Sequence, residues 1–356
     1  MDILSELRGL SLVQAFAEEI DEFRHFSIHP LVKDWIRLRT DKKLCQEFSL
    51  LATKIVAKLI APLWRNEQFE MPLSTKQEVL SHLDVHEENY TDFLAADSVM
   101  ALGHSFLIDL SDAESWFESL YFSSGRYKEA EKINWRVIEL RKTLLGPENS
   151  STLTSMNNLA GVLFDQGKYE EAEEMHRRVI RLQEIVLGPE HHGTLTSMNN
   201  LAIVLNNQGR GKEAEEIYQR VIRLREKVLG SEHPSTLTSM NNLASVLCNQ
   251  GKHKEAEEIY QRVIRFREIV LGPEHPDTLT SIYSLAQLLY SRHEYDNAAV
   301  LYEKAILGYK KGLRIDHPTT LACSEHYSSM LEEMERIKQQ VSGVQENLSD
   351  ITVETP

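Results

Sequence analysis

Cysteine is scarce in this chain: Cys45, Cys248 and Cys323 are the only three among 356 residues, an odd and scattered set. Neither a disulfide framework nor a zinc-ligand spacing can be built from them, which fits a reducing compartment. Basic charge is short as well. The 39 Lys and Arg stand against 54 Asp and Glu, a net charge of -15. Phosphate binding needs clustered cations that neighbouring acids do not cancel, so no nucleic-acid partner is expected. Long apolar runs are missing too. The most apolar window, Leu50 to Leu63, is interrupted by Lys54 and Lys58, so no membrane span is expected. The opening MDILSELRGL lacks the basic-then-apolar layout of a secretory signal, and the expected location is cytoplasmic.

Chemistry-bearing motifs are absent in the same way. No G-x-x-x-x-G-K-[ST] phosphate loop occurs, and GRGKE at Gly209 lacks its spacing, so no nucleotide or other cofactor is expected. Cys248 and Cys323 have no histidine held near them, and paired carboxylates cannot be told from ordinary helix acids. An enzyme is therefore not expected.

What the chain does have is a period. TSMNNLA begins at Thr154, Thr196 and Thr238. Gly125, Gly167, Gly209 and Gly251 keep the same 42-residue step, as do Thr152, Thr194, Thr236, Thr278 and Thr320. Self-copying at 20 to 50 residues marks a stacked array rather than a single globule. Within one copy, Thr152 to Gln166 reads as a helix with Leu153, Met156, Leu159, Ala160 and Leu163 on one face, capped by Thr152 or Ser151 and ended by Gly167. A second helix runs from about Tyr169 to Leu187, carrying Ala172, Met175, Val179, Leu182 and Val186, and Gly188-Pro189 stops it. One such hairpin cannot bury both faces alone; stacking does that. Ala130, Ala172, Ala214 and Ala256 recur where backbones must approach. Tyr127 and Tyr169 would fill the space between hairpins, a pattern that Gly211 and His253 break.

The Leu-Ala pair of NNLA, the glycine eight residues on and the alanine five beyond it resemble the tetratricopeptide repeat. Its usual period is 34; the long variant with NNLA, GKYxEAE and LGPEHP is similar to the repeat of kinesin light chains, over roughly Ser111 to Met334. The resemblance implies an all-α fold: a right-handed superhelical solenoid of helical hairpins whose first helices line a concave face. The fourth marked copy is worn, with Tyr283-Ser284 for Asn-Asn and His293 for the glycine. Another first helix starts near Thr320 without a partner helix and reads as a cap. The expected organisation is 111–340 for the array with its capping helix, and 341–356 for a disordered tail.

Ahead of the array, Leu12 to Phe16 and Phe23 to Ile28 read as two short strands around an acidic turn, and Pro30 opens a helix carrying Leu31, Val32, Trp35 and Leu38. The run HFSIHPLVKDWIRLR resembles the end of the winged-helix domain of fungal NLR-like proteins, nucleotide switches in which such a segment precedes long repeats. LSHL at Leu80 to Leu83 is similar to a segment between wing and repeats in that family, with Ser81 for the usual proline. The resemblance implies a winged-helix-like remnant over 1–40 and a helical connector over 41–110. It aligns His29 with a histidine that contacts the β-phosphate of ADP. Without the phosphate loop, His29 is expected to be structural.

Three patterns remain. Each second helix opens with acids and closes with bases, from Glu170 to Arg181, Glu213 to Arg225 and Glu255 to Arg267. This suits the helix dipole and i,i+4 pairs such as Glu173–Arg177. His191, His233, His275 and His317 recur on the turns, too far apart for a metal, so turn chemistry is their expected role. Asn157-Asn158, Asn199-Asn200 and Asn241-Asn242 should form rows along the first helices, where an amide can grip the main chain of an extended peptide or bond a stacked neighbour. With Phe164, Asn206, Asn207, Asn249 and Tyr283 on the same face, they make the candidate peptide-binding residues. The expected function is capture of a protein or extended peptide in the groove, as the sensor arm of an NLR-like protein. The alternative is a kinesin-light-chain-like cargo adaptor, which would need a heptad coiled coil that the first hundred residues do not show. Ligand identity and oligomeric state are not legible.

Overall fold

The structure, a computed structural model, describes the backbone of residues 13–15, 26–28, 77, 80, 104–313, 315 and 317–353. It falls into two compact units, Met1–Ser155 and Met156–Pro356.

In the first unit, β1 (Val13–Ala15) pairs antiparallel with β2 (Phe26–Ile28), Val13 opposite Ile28. These are the two strands read from the sequence. Pro30, His29 and the helix expected after them lie outside the described residues, as does most of 41–103. Next come α1 (His104–Ser123) and α2 (Tyr127–Leu145). The helical array thus begins by His104, ahead of the expected start at 111. The core of this hairpin is unusually polar. Glu114 and Glu118 are buried with Asn134, at positions where copies one period later carry Met156, Ala160 and His176. Arg136 donates to Glu114 at 2.8 Å. Burial pushes the Glu118 carboxyl up to about 7, against the lowering effect of bonds to Asn134 and Ser119.

The unit boundary falls inside α3 (Ser150–Asp165). From there helices alternate: α4 (Tyr169–Val186), α5 (His192–Asn207), α6 (Gly211–Leu229), α7 (Pro234–Asn249), α8 (His253–Val270), α9 (Pro276–Ser291), α10 (Tyr295–Gly312) and α11 (Pro318–Val353). Among the described residues, every element of this second unit is a helix. Ala172, Ala214, Ala256 and Ala298 are fully buried, and so are Ala202, Ala244 and Ala286 on the facing helices, where a larger side chain would force the backbones apart. Residues 341–353, expected to be disordered, instead continue α11. No proline interrupts the run before Pro356, and Glu, Gln and Leu sustain a helix already begun.

The turns explain two periodic residues. Each first helix from α5 on is capped by the recurrent histidine. His191, His233, His275 and His317 Nδ1 accept from the N–H of Gly193, Ser235, Asp277 and Thr319 at 3.1 to 3.2 Å. That acceptor role requires the neutral Nε2–H tautomer. Turn chemistry is therefore their job. The periodic threonines do not cap. Asn149 caps α3 by accepting from Ser151, while Thr152 donates to the carbonyl of Gly146. Thr194, Thr236 and Thr278 likewise donate to Gly188, Gly230 and Gly272 at 2.8 to 2.9 Å. The threonine closes the turn that the histidine opens. In the worn copy, His293 holds the left-handed conformation (φ 62) that glycine takes at Gly167, Gly209 and Gly251. A residue with a Cβ is strained there.

Candidate functional site

A buried hydrogen-bond chain holds neighbouring hairpins together, and it divides the candidate asparagines. Arg225, 4 % exposed, donates to the Ser235 carbonyl and to Ser239 Oγ, both at 2.7 Å. Ser239 in turn donates to Asn199 Oδ1 at 3.1 Å. One period later, Arg267 donates to the Asp277 carbonyl at 2.6 Å and to Ser281 Oγ at 2.8 Å, and Ser281 donates to Asn241 Oδ1 at 2.9 Å. Both guanidinium groups also reach a threonine of the preceding first helix, Thr196 and Thr238. Burial pulls their pKa values down from the usual arginine range.

These arginines read from sequence as surface charges at the ends of basic runs. They are core residues instead, because the last turn of each second helix packs under the next first helix, and the guanidinium fork satisfies carbonyl and hydroxyl together. Where Gln183 stands in the arginine position, Gln183 Oε1 and Asn157 Oδ1 are buried without a hydrogen-bond partner. In the last hairpin Tyr309 takes the position, its hydroxyl 3.0 Å from Thr280 Oγ1. The preceding residue is Gly308, where a Cβ would lie 2.6 Å from Leu279.

The first asparagine of two pairs, Asn199 and Asn241, is thereby tied into the stack. Asn199 is buried, and Asn157 and Asn241 are half-buried. The second of each pair faces outward to different degrees: Asn158 is exposed, and Asn200 and Asn242 are half-buried, with Asn242 paired to the Tyr218 phenol. Three rows follow across the first helices at the 42-residue step. The first is Asn158, Asn200, Asn242, Ser284 and His326. The second is Gly161, Ile203, Ser245, Gln287 and Ser329, and the third is Asp165, Asn207, Asn249, Ser291 and Glu333. None of these fifteen positions is buried. The first row keeps asparagine through three copies and the other two rows vary more, whereas Leu159, Leu201, Leu243 and Leu285, buried beside them, do not change.

Neighbouring first helices touch directly, α5 with α7 and α7 with α9, and no pair of second helices does so to the same extent. Side chains bridge the first-helix layer: Asn249 donates to Asn206 at 3.4 Å, and His326 meets Tyr283 and Gln287. Glu333 accepts from Tyr290 and Tyr295, which holds its carboxyl below the usual range. Phe164 pairs with Tyr169, ring centroids 5.5 Å apart. Tyr290 and Tyr295 repeat that pair at 6.0 Å. In the two hairpins between, Gly211 and His253 stand where the tyrosines would be, and Gln250 lies 3.3 Å from the Cβ position of Gly211.

The ion pairs between hairpins run along the other layer. Glu173–Arg177 is the expected i,i+4 pair, but the larger pattern runs between hairpins: Glu173–Arg210, Glu184–Arg220, Glu215–Lys252, Glu226–Arg262 and Glu268–Lys304. Among the described residues, no group of three His, Cys, Asp or Glu could hold a metal ion, and no helix is long and apolar enough to cross a membrane.

Tetratricopeptide-repeat models match residues 119–150, 152–193, 193–268 and 239–311, more than half of the chain. The chain belongs to the tetratricopeptide-repeat family, whose repeats serve as protein-interaction scaffolds. A nucleotide-binding leucine-rich repeat (NLR)-like protein of Hyaloscypha variabilis is 35% identical over 156 residues, covering 42% of this chain and 14% of that protein. The chain thus spans about a seventh of that relative. Among solved structures, a Podospora anserina kinesin light chain with nearly identical TPR-like repeats is 29% identical, covering 57% of this chain and 95% of that one (TM-score 0.49). RapI in its apo form is 13% identical, with 82% and 99% covered (TM-score 0.50). The second likeness is one of fold alone.

Proposed function

We propose that this chain is a non-catalytic recognition arm, whose first-helix wall captures an extended segment of a protein partner. The observation that carries this is the contrast within the wall. The leucine–alanine pairs that pack the wall, from Leu159-Ala160 to Leu285-Ala286, are the same in four copies, while the second and third unburied rows beside them vary. Repeat arrays present such surfaces to partners, and amides offer two donors and two acceptor sites without demanding a particular side chain. The reading places recognition on Asn158, Asn200, Asn207, Asn242 and Asn249. Phe164 and Tyr283 stand at either end, and Asn206 supports Asn249. It leaves Asn157, Asn199 and Asn241 to the stack. The likeness to part of an NLR-like protein supports a further step, in which the array serves as the sensor of a cytoplasmic signalling protein whose nucleotide switch is a separate domain.

The test begins with a phage-displayed library of random eleven-residue peptides selected on the wild-type protein. Selected peptides are then rebound to the variant Asn200→Ala/Asn207→Ala/Asn242→Ala/Asn249→Ala. The expected result is a loss of tenfold or more with unchanged helical circular dichroism. Undiminished binding to this variant would overturn the groove.

A further inference from the structure

The groove reading leaves the chemistry of the ligand open, and the distribution of charge supplies it. The three central first helices, α5, α7 and α9, contain no Lys or Arg, and Asp277 in the first turn of α9 is their only acid. The fields of the two layers therefore differ in kind. On the second helices, cations and carboxylates pair across hairpins and cancel at close range. Across the three central first helices almost nothing needs cancelling. The middle of the wall is amide, hydroxyl and aliphatic, and its outermost row ends in a carboxylate on each side, Asp165 and Glu333.

We infer that the partner segment is an uncharged polar stretch of main chain, rich in Ser, Thr, Asn, Gln or Gly and free of acidic residues. Two physical arguments set this choice. A charged ligand residue would exchange water for neutral amides that cannot compensate its desolvation. An acidic one would also meet Asp165 or Glu333 with like sign. A neutral strand loses little on leaving water, and the amides of Asn200, Asn207, Asn242 and Asn249 can replace its hydrogen bonds. Five stacked helices at spacings of about 9 Å make a wall of about 36 Å. At about 3.3 Å per residue, that accommodates a segment of about eleven residues. Because no ion pair forms across the interface, affinity should be indifferent to salt.

This inference rests on the groove reading, and the experiment separates the two. The random eleven-residue library is selected on the wild-type protein at 50 mM and at 500 mM NaCl. The expected outcome is depletion of Asp and Glu by about threefold against the input library, with affinities that change less than about twofold between the two salts. Enrichment of Asp, Glu, Lys or Arg, or a tenfold loss at high salt, overturns the inference. Enrichment of no peptide overturns it together with the groove reading. The variant Asn207→Lys/Asn249→Lys, altered at two exposed positions, is selected in parallel. A shift of its selected peptides toward Asp and Glu shows that the wall sets ligand charge, as the inference requires. Unchanged sequences and affinities with this variant overturn the groove reading itself.

Discussion

The hairpin α1–α2 and the hairpins from α5 on follow one plan with opposite interiors. Where α1–α2 buries Glu114, Glu118 and Asn134, the later copies bury Met198, Ala202 and Tyr218, or Met240, Ala244 and Tyr260. The earlier hairpin holds ionisable groups within its own core. The hairpins from α5 on exclude them, α3–α4 between keeps His176 alone, and polarity concentrates in the arginine–serine–asparagine chain between hairpins. Polarity inside a hairpin tunes that hairpin, whereas polarity between hairpins fixes how copies stack.

The largest expected effect tests the second half of that comparison. Arg225→Ala removes the donors to the Ser235 carbonyl and Ser239 Oγ in a buried site, and should cost about 3 kcal/mol in chemical denaturation. Gln183→Arg should move the other way by about 1–2 kcal/mol, because it restores the donor that the second copy lacks. If Gln183→Arg destabilises, the chain of bonds is not transferable between copies.

A second pair concerns pH, with opposite signs in the two regions. His176 is buried, and burial alone pulls its imidazole down to about 4. The unfolded chain takes up that proton near pH 6.5. Its contribution is therefore full above pH 6.5 and lost as pH falls toward 4, by about 3 kcal/mol. Glu118 behaves inversely. Its pKa of about 7 exceeds the unfolded value near 4.5, so its contribution is full below pH 4.5 and is lost as pH rises through 7. Hydrogen exchange read at pH 5 and at pH 8 should show α4–α5 loosened in acid and α1–α2 loosened in base. His176→Tyr, which copies Tyr218 and Tyr260, should abolish the first trend, and Glu118→Gln the second.

Turn substitutions rank lower. His293→Gly relieves a left-handed residue and should gain about 1 kcal/mol in thermal denaturation. His233→Ala should lose about 1 kcal/mol by removing a cap, and His233→Asn should restore most of it. The smallest effect belongs to the charged layer. Glu184→Gln, which breaks an exposed pair with Arg220, should change stability by no more than about 0.5 kcal/mol. A larger loss would give the outer ion pairs a weight the comparison denies them.

The period, the alternation of helices, the two short strands and the turn role of the histidines were legible because each follows from spacing and local preference. The buried arginines were not. Arg225 and Arg267 end runs of acids and bases that satisfy the helix dipole equally well on a surface, and nothing in the spacing says which cation turns inward. A signal was present in the sequence all the same. At the arginine position the five copies read Arg141, Gln183, Arg225, Arg267 and Tyr309, each able to hydrogen-bond, beside Ser155, Ser197, Ser239 and Ser281 in the first four and Cys323 in the last. The asparagine pairs were half legible: spacing put both on the first helix, but a rotation of one residue about its axis separates stack from wall. Composition weighed the tail as a loose polar run, while a helix already nucleated extends at little cost, and α11 runs to Val353.

The recurrent bonds have an evolutionary consequence. Thr236 to Gly230, His233 to Ser235 and Arg225 to Ser239 each recur with the same offset in a neighbouring copy. Excising or inserting one period rejoins a chemically identical interlock, so slippage during DNA replication can lengthen or shorten the stack without any new joint being invented. Only the wall's outward letters are reshuffled when that happens. Such a scaffold can change what it recognises faster than it can change how it stands.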